Sequence, residues 1–224
     1  ILRLGDSDPE ITLSKFEKAL ARDDVAAVFT ISYDFGLKLN RITGNRRSRE
    51  PDIFLALFDA LVVHDYDNGR SFAVGSTDRT PGLAGEDSIQ PEIELDRPVD
   101  VASNFDRSGY LAMVEKIKDR IRAGDTYQTN LTQQLSAKTD LPPAAIYRNL
   151  RREHPAAFAA YIDRGDSIVI SASPEQFFRI DSSESGRVIT ASPIKGTRPR
   201  GTSNEEDARL RQELLNSEKD RAEN

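Results

Sequence analysis

Ten consecutive residues carry the chain's densest set of reactive side chains: Ser192-Pro193-Ile194-Lys195-Gly196-Thr197-Arg198-Pro199-Arg200-Gly201, with one lysine, two arginines, two glycines and two prolines. Glycine backbone can approach an anion closely, and an arginine fork can grip a carboxylate through two hydrogen bonds. Lys195 lies beside two permanent cations, Arg198 and Arg200. Their repulsion is expected to disfavour its charged form and release some neutral amine as a nucleophile. Upstream, Glu175 follows Pro174 and is flanked by Phe177 and Phe178. An apolar setting would favour its protonated form and suit it to proton transfer near neutrality. Downstream, Asp220 and Glu223 are three positions apart and share a helix face, so they could offer oxygen ligands to a hard divalent ion such as Mg2+. On residue types alone each feature also has a plainer reading: a solvated basic connection, an exposed glutamate, a solvated acidic helix face.

These residues need elements to hold them. Arg187 to Ala191 reads as a strand leading into the basic loop, and Asn204-Glu205-Glu206-Asp207 reads as the helix start that follows it. Three more short apolar strands precede these, Ala157 to Ile162, Ser167 to Ser171 and Gln176 to Ile180, which predicts a four-stranded antiparallel meander. Thr126 to Ala137 alternates, with Gln128, Asn130, Thr132 and Gln134 on one face; such a face is either solvated or lines a polar cavity. The strands between residues 126 and 192 are expected to share one sheet. The helix Ser108 to Ala123, closed by Gly124, is expected to pack Val114 and Ile117 on it. Pro142 to Arg152 reads as a short helix with His154 at its end.

The N-terminal part predicts a helix from Thr12 to Arg22, a buried strand from Val25 to Tyr33, and strands Leu57 to Asp65 and Arg70 to Gly75 around the turn Tyr66-Asp67-Asn68-Gly69. Residues 38 to 51 hold five arginines and lysines and read as a mobile loop. Residues 78 to 100 hold three prolines and two glycines and mark the best boundary, dividing 1–100 from 101–224. Strands outnumber helices without regular βαβ alternation, so the fold class is α+β with largely antiparallel sheet.

Composition narrows the function. Net charge is −6, which argues against a general nucleic-acid binder and makes the basic loop a local feature. The absence of cysteine removes thiol chemistry from this chain, and the two histidines, His64 and His154, form no cluster. No apolar run is long enough to span a membrane as a helix, and Ile1-Leu2-Arg3-Leu4 does not read as a secretion signal, so a cytoplasmic protein is expected. The missing initiator Met and an end at Asn224 inside a helix pattern read as a piece of a longer protein that does not close its own site.

Pro193-Ile194-Lys195-Gly196-Thr197 resembles the signature of aminodeoxychorismate synthase component I, a branch of the chorismate-binding anthranilate synthase component I family. Ser173-Pro174-Glu175-Gln176-Phe177 and Glu218-Lys219-Asp220-Arg221-Ala222-Glu223-Asn224 match the same family in the same order, and Ser32-Tyr33-Asp34-Phe35-Gly36 is similar to its Ser-Tyr-Glu-Leu-Gly segment. Relatives that make anthranilate, isochorismate or salicylate typically carry a small residue where this chain has Lys195. The resemblance implies a chorismate site in which Lys195 is the nucleophile at ring position C2 and Glu175 assists departure of the C4 hydroxyl. It implies that Asn130, Gly196, Thr197 and Arg198 contact substrate, and that Glu223, backed by Asp220, holds Mg2+. The implied product is 4-amino-4-deoxychorismate, on the way to 4-aminobenzoate and folate. Ammonia would come from a glutamine amidotransferase partner, whose cysteine nucleophile this chain lacks.

Overall fold

A computed structural model describes residues 1–42, 50–75, 99–183 and 186–223, with Glu223 described by its backbone alone. Half of the expected mobile loop, residues 43–49, and most of the expected boundary segment, up to residue 98, lie outside the described residues. The chain divides into two compact units, Ile1–Gln90 and Pro91–Asn224.

The first unit is built on β3 (Ile53–Phe58), which pairs antiparallel with β1 (Leu2–Leu4) on one side and β2 (Ala26–Ile31) on the other. As the central strand it reads as a continuous apolar run. Ile53, Phe54 and Leu55 are fully buried. Helix α1 (Pro9–Leu20) starts at Asp8, whose carboxylate accepts the Glu10 N–H at 2.9 Å. Its Phe16 meets Phe29 of β2 edge-on at 5.0 Å. Ser32-Tyr33-Asp34-Phe35-Gly36 opens the short helix α2 (Tyr33–Leu39), with the Ser32 hydroxyl accepting the Phe35 N–H and Phe35 buried in the core. The buried Asp52 carboxylate is compensated by Lys38, whose Nζ donates to it at 2.8 Å.

Strands β4 (Ala60–Asp65) and β5 (Arg70–Gly75) form the expected hairpin. Asp65 and Arg70 are paired, so the loop between them is four residues long. Only Gly69 takes positive φ, at 59°, and the Asp65 carboxylate accepts hydrogen bonds from the Asn68 N–H and side-chain amide. The Asn-Gly pair thus closes a longer loop and not a two-residue turn.

The second unit contains β6 (Val101–Ser103), α3 (Arg107–Arg122), β7 (Leu135–Ala137), α4 (Pro143–Glu153), β8 (Phe158–Asp163), β9 (Ile168–Ser173), β10 (Arg179–Ser183), β11 (Gly186–Thr190), α5 (Asn204–Asn216) and α6 (Glu218–Glu223). Among the described residues all strand pairs are antiparallel, and with six helices they make the fold α+β. The expectation of one sheet over residues 126 to 192 is corrected. Among the described residues the strands of this unit form three separate pairs, β6-β7, β8-β9 and β10-β11. The ladder breaks after β9 because Pro174 has no N–H to donate. There the Ser173 hydroxyl takes over the next turn, accepting the Glu175 N–H at 3.3 Å and donating to the Glu175 carbonyl at 2.9 Å.

The alternating stretch 126–137 is a strand only at Leu135–Ala137, because its partner β6 is itself three residues long. Helix α3 runs from an Asp106 cap to Gly124, which takes φ 79°. The Asp125 N–H then donates to the Arg120 carbonyl, the pattern of a glycine-terminated helix. None of its residues is buried, and Val114 and Ile117 are half-buried, so the expected packing seam is much shallower than the periodicity predicts. His154 closes α4 through its backbone N–H to the Leu150 carbonyl. No helix among the described residues is long and apolar enough to cross a membrane.

Candidate active site

The loop 191–203 joins β11 to α5, as the sequence predicts. It contains no regular structure, yet its position is held by side-chain contacts at several points. Ser203 caps α5 by accepting the Glu206 N–H, and the Glu206 carboxylate reaches back to accept the Thr202 N–H at 2.8 Å. Arg200 meets Asp207 of α5 with a two-pronged contact, Nε to Oδ1 and Nη2 to Oδ2, both 2.7 Å. Asp207 Oδ1 also accepts the Gly201 N–H at 2.8 Å. The Arg200 guanidinium, followed by the Gly201 N–H, holds the Asp207 carboxyl down at about 2 against an ordinary 3.8.

A lowered carboxylate contributes stability that is complete above its unfolded value and is lost as pH falls through its folded one. For Asp207 that window runs from 3.8 down to about 2. Asp207→Asn is therefore expected to melt below wild type by a constant margin at neutral pH. The margin should shrink across that window and vanish below it. Melting curves of both proteins against pH check this; a margin that stays constant through the window refutes it.

Nearer the middle of the loop, Arg198 donates from Nη2 to Asp220 Oδ2 at 3.3 Å and from Nη1 to its neighbour Thr197's carbonyl at 2.8 Å. Gly196 takes φ 81° and lies against α5 and α6. A Cβ there would sit 2.7 Å from Asp220 Cγ and 2.7 Å from Leu214 Cδ1. Glu175, on the turn after β9, accepts the Ile194 N–H at 3.2 Å through Oε1. Beside it is an open hollow of about 270 Å³, lined by Glu175, Gln176, Phe177, Ala191 and Pro193.

The structure thus brings Glu175, Lys195, Gly196, Thr197, Arg198 and Asp220 into one neighbourhood. Lys195 and Thr197 are exposed. Asn130 is exposed in the irregular stretch before β7, and among the described residues no hydrogen bond joins it to the loop. The side chain of Glu223 lies outside the described residues. Two electrostatic expectations change. Arg198 and Arg200 are each paired with a carboxylate, which offsets the repulsion expected at Lys195. Phe177 and Phe178 pack on each other, centroids 4.9 Å apart, and leave Glu175 exposed and not enclosed in an apolar setting. Asp207 was missed by the sequence reading. The available signal was an acid seven positions after Arg200, on the first turn of the helix that the loop enters.

The family described as chorismate binding enzyme matches residues 5–224. This chain belongs to the chorismate binding enzyme family. Within that family it is similar to the aminodeoxychorismate synthase of Streptomyces griseus, 40% identical over 195 residues, which is 80% of this chain and 27% of the relative. It is 30% identical over 214 residues to aminodeoxychorismate synthase component 1 of Bacillus subtilis, 88% of this chain and 45% of that one. Anthranilate synthase component 1 of Thermus thermophilus is 45% identical over 121 residues, 54% of this chain and 25% of the relative. Among solved structures, anthranilate synthase component I of Streptococcus pneumoniae superposes with a TM-score of 0.70 at 26% identity, covering 89% of this chain and 47% of that one. The chain spans less than half the length of these relatives.

Proposed function

We propose that this chain carries the amination site of an aminodeoxychorismate synthase acting in the cytoplasm, converting chorismate to 4-amino-4-deoxychorismate with ammonia from a glutamine amidotransferase partner. The observation that carries the reading is an exposed lysine, Lys195, on a clamped loop whose preceding residue, Ile194, is held by the Glu175 carboxylate. In the first step the neutral Lys195 amine forms a bond to C2 of chorismate and the ring double bond shifts. The C4–oxygen bond breaks, and Glu175 protonates the departing oxygen so that it leaves as water. In the second step ammonia forms a bond to C4, the double bond shifts back, and the C2–nitrogen bond breaks. The Lys195 amine is released, and the proton lost by the added nitrogen returns to Glu175. Splitting one difficult displacement into two is the usual advantage of a covalent intermediate. Gly196 and Thr197 are proposed to offer backbone amides to the substrate carboxylates. Asn130 is proposed to complete the substrate contacts.

Mg2+ is implied by the resemblance through Glu223 and Asp220. Of these two residues only Asp220 has a described side chain, and its carboxylate already faces the Arg198 guanidinium, which does not suit it to a divalent ion. No step above is routed through a metal.

A second reading, anthranilate formation, is favoured by the 45% identity to the Thermus thermophilus anthranilate synthase component 1. Product identity separates the two. The enzyme containing this chain is incubated with chorismate and ammonium salt, and the product is examined by mass spectrometry before and after a 4-aminobenzoate-forming lyase is added. Appearance of 4-amino-4-deoxychorismate supports the proposal, and anthranilate alone overturns it.

A further inference from the structure

The resemblance reserves Asp220 for a metal, but the geometry gives it another task. We propose that Asp220 is a positioning residue: through the Arg198 guanidinium and the Gly196 contact it fixes the backbone that presents Lys195, and its carboxylate is committed to that task in place of a divalent ion.

Three contacts converge on it. The ion pair with Arg198 is shielded, with side-chain exposures of 33% for Arg198 and 16% for Asp220. Such a pair is less screened than the fully exposed pairs elsewhere on the chain. Arg198 spends its second prong on the Thr197 carbonyl, so the planar guanidinium ties α6 to the loop backbone. Gly196 lies so close to Asp220 and Leu214 that only a hydrogen fits on its Cα. The loop is thus gripped at residues 196, 197 and 198, directly after Lys195. Asp220 is itself aimed by the junction of α5 and α6, where the Ser217 hydroxyl accepts its N–H at 3.3 Å. A divalent ion placed on this carboxylate would have to displace Arg198 or sit beside its positive charge. Both are unfavourable in a partly shielded site.

The purpose of the grip rests on the proposed function, but its mechanics can be read without substrate. Amide hydrogen exchange of Ile194 and Gly201 reports the loop, because their N–H groups are held by Glu175 and Asp207. The proteins compared are wild type, Arg198→Ala, Asp220→Asn, the double variant, and the reversed pair Arg198→Asp with Asp220→Arg. Each single change is expected to speed exchange about tenfold, and the double variant to be no faster than either single one. The reversed pair should return to within about threefold of wild type, a rescue that general loss of packing would not produce. Asp220→Asn is nearly isosteric, so loss of fold does not confound it.

Single effects that multiply in the double variant, or a reversed pair as fast as the single variants, overturn the proposal. A Mn2+ titration followed by water-proton relaxation gives the rival outcome. If Asp220→Asn weakens Mn2+ binding by more than about tenfold while exchange stays at wild-type rates, Asp220 is a ligand and the proposal fails. If the exchange pattern holds but calorimetry finds no chorismate binding, the positioning role stands and the functional reading falls.

Discussion

Lys195→Arg is expected to lower chorismate amination at least about a thousandfold in the enzyme containing this chain, far more than a conserved charge would suggest. Arginine keeps the cation but remains protonated at any working pH, so it cannot form the bond to C2. If Lys195 only steadied a substrate carboxylate, arginine would serve well, since its fork suits carboxylates. The surroundings sharpen the comparison. Arg198 and Arg200 are each engaged by an aspartate, so a new guanidinium at 195 would not compete with them for Asp220 or Asp207. Lys195→Ala, which recreates the loop typical of anthranilate-forming relatives, is expected to block the normal route and open direct ammonia attack at C2. Rates are followed by 4-aminobenzoate formation in the presence of a lyase, and intact mass is checked for a substrate adduct on the native protein. Near wild-type rates in Lys195→Arg, with no adduct trapped on Lys195, would exclude the covalent role.

Gly196→Ala is expected to be the most damaging small change in the loop. Its φ of 81° lies where an L side chain is strained by about 1–2 kcal/mol. The added Cβ would stand 2.7 Å from both Asp220 Cγ and Leu214 Cδ1, and relieving that overlap adds roughly 1–3 kcal/mol. Leu214 could rotate, but Asp220 is held by Arg198 and by the Ser217 hydroxyl on its N–H. The loop backbone, which has no ladder to resist movement, yields first. Lys195 is then misplaced with the secondary structure intact, so chorismate binding and turnover should fall by about a hundredfold, while the combined cost lowers the melting temperature by roughly 5–15 °C. The same activity in Gly196→Ala as in wild type would show that the loop position is not set by this contact. Loss of helical circular dichroism at the assay temperature would place the damage in the fold and not in the site.

The order of elements around the site was legible in the sequence. The apolar run before Ser192 is β11, Asn204 opens α5, and Gly124 closes α3, because each depends on residues within one turn of itself. The α+β class follows from the same local signals, and so does the hairpin at Asn68-Gly69, although the turn there is longer than the dipeptide suggests. The motifs carried the family and put Glu175 and Lys195 forward together, and the tertiary structure joins them through the Ile194 N–H.

What the sequence could not decide is which distant groups meet. Alternation from Thr126 to Ala137 describes a strand, but a strand needs a partner of equal length, and β6 supplies only three residues. The apolar runs from Ala157 to Ala191 describe strands, but Pro174 and the Ser173 hydroxyl break them into separate hairpins. The flanking phenylalanines predict an apolar setting for Glu175, but they turn on each other. Above all, the charges of the loop have partners only in three dimensions. Arg200 finds Asp207 across the helix start, and Arg198 finds Asp220, twenty-two positions away. Local pattern sets the conformation of a segment within a few residues. The distance between positions 198 and 220 is set by the junction of α5 and α6, and on that distance depends whether Asp220 holds a loop or a metal.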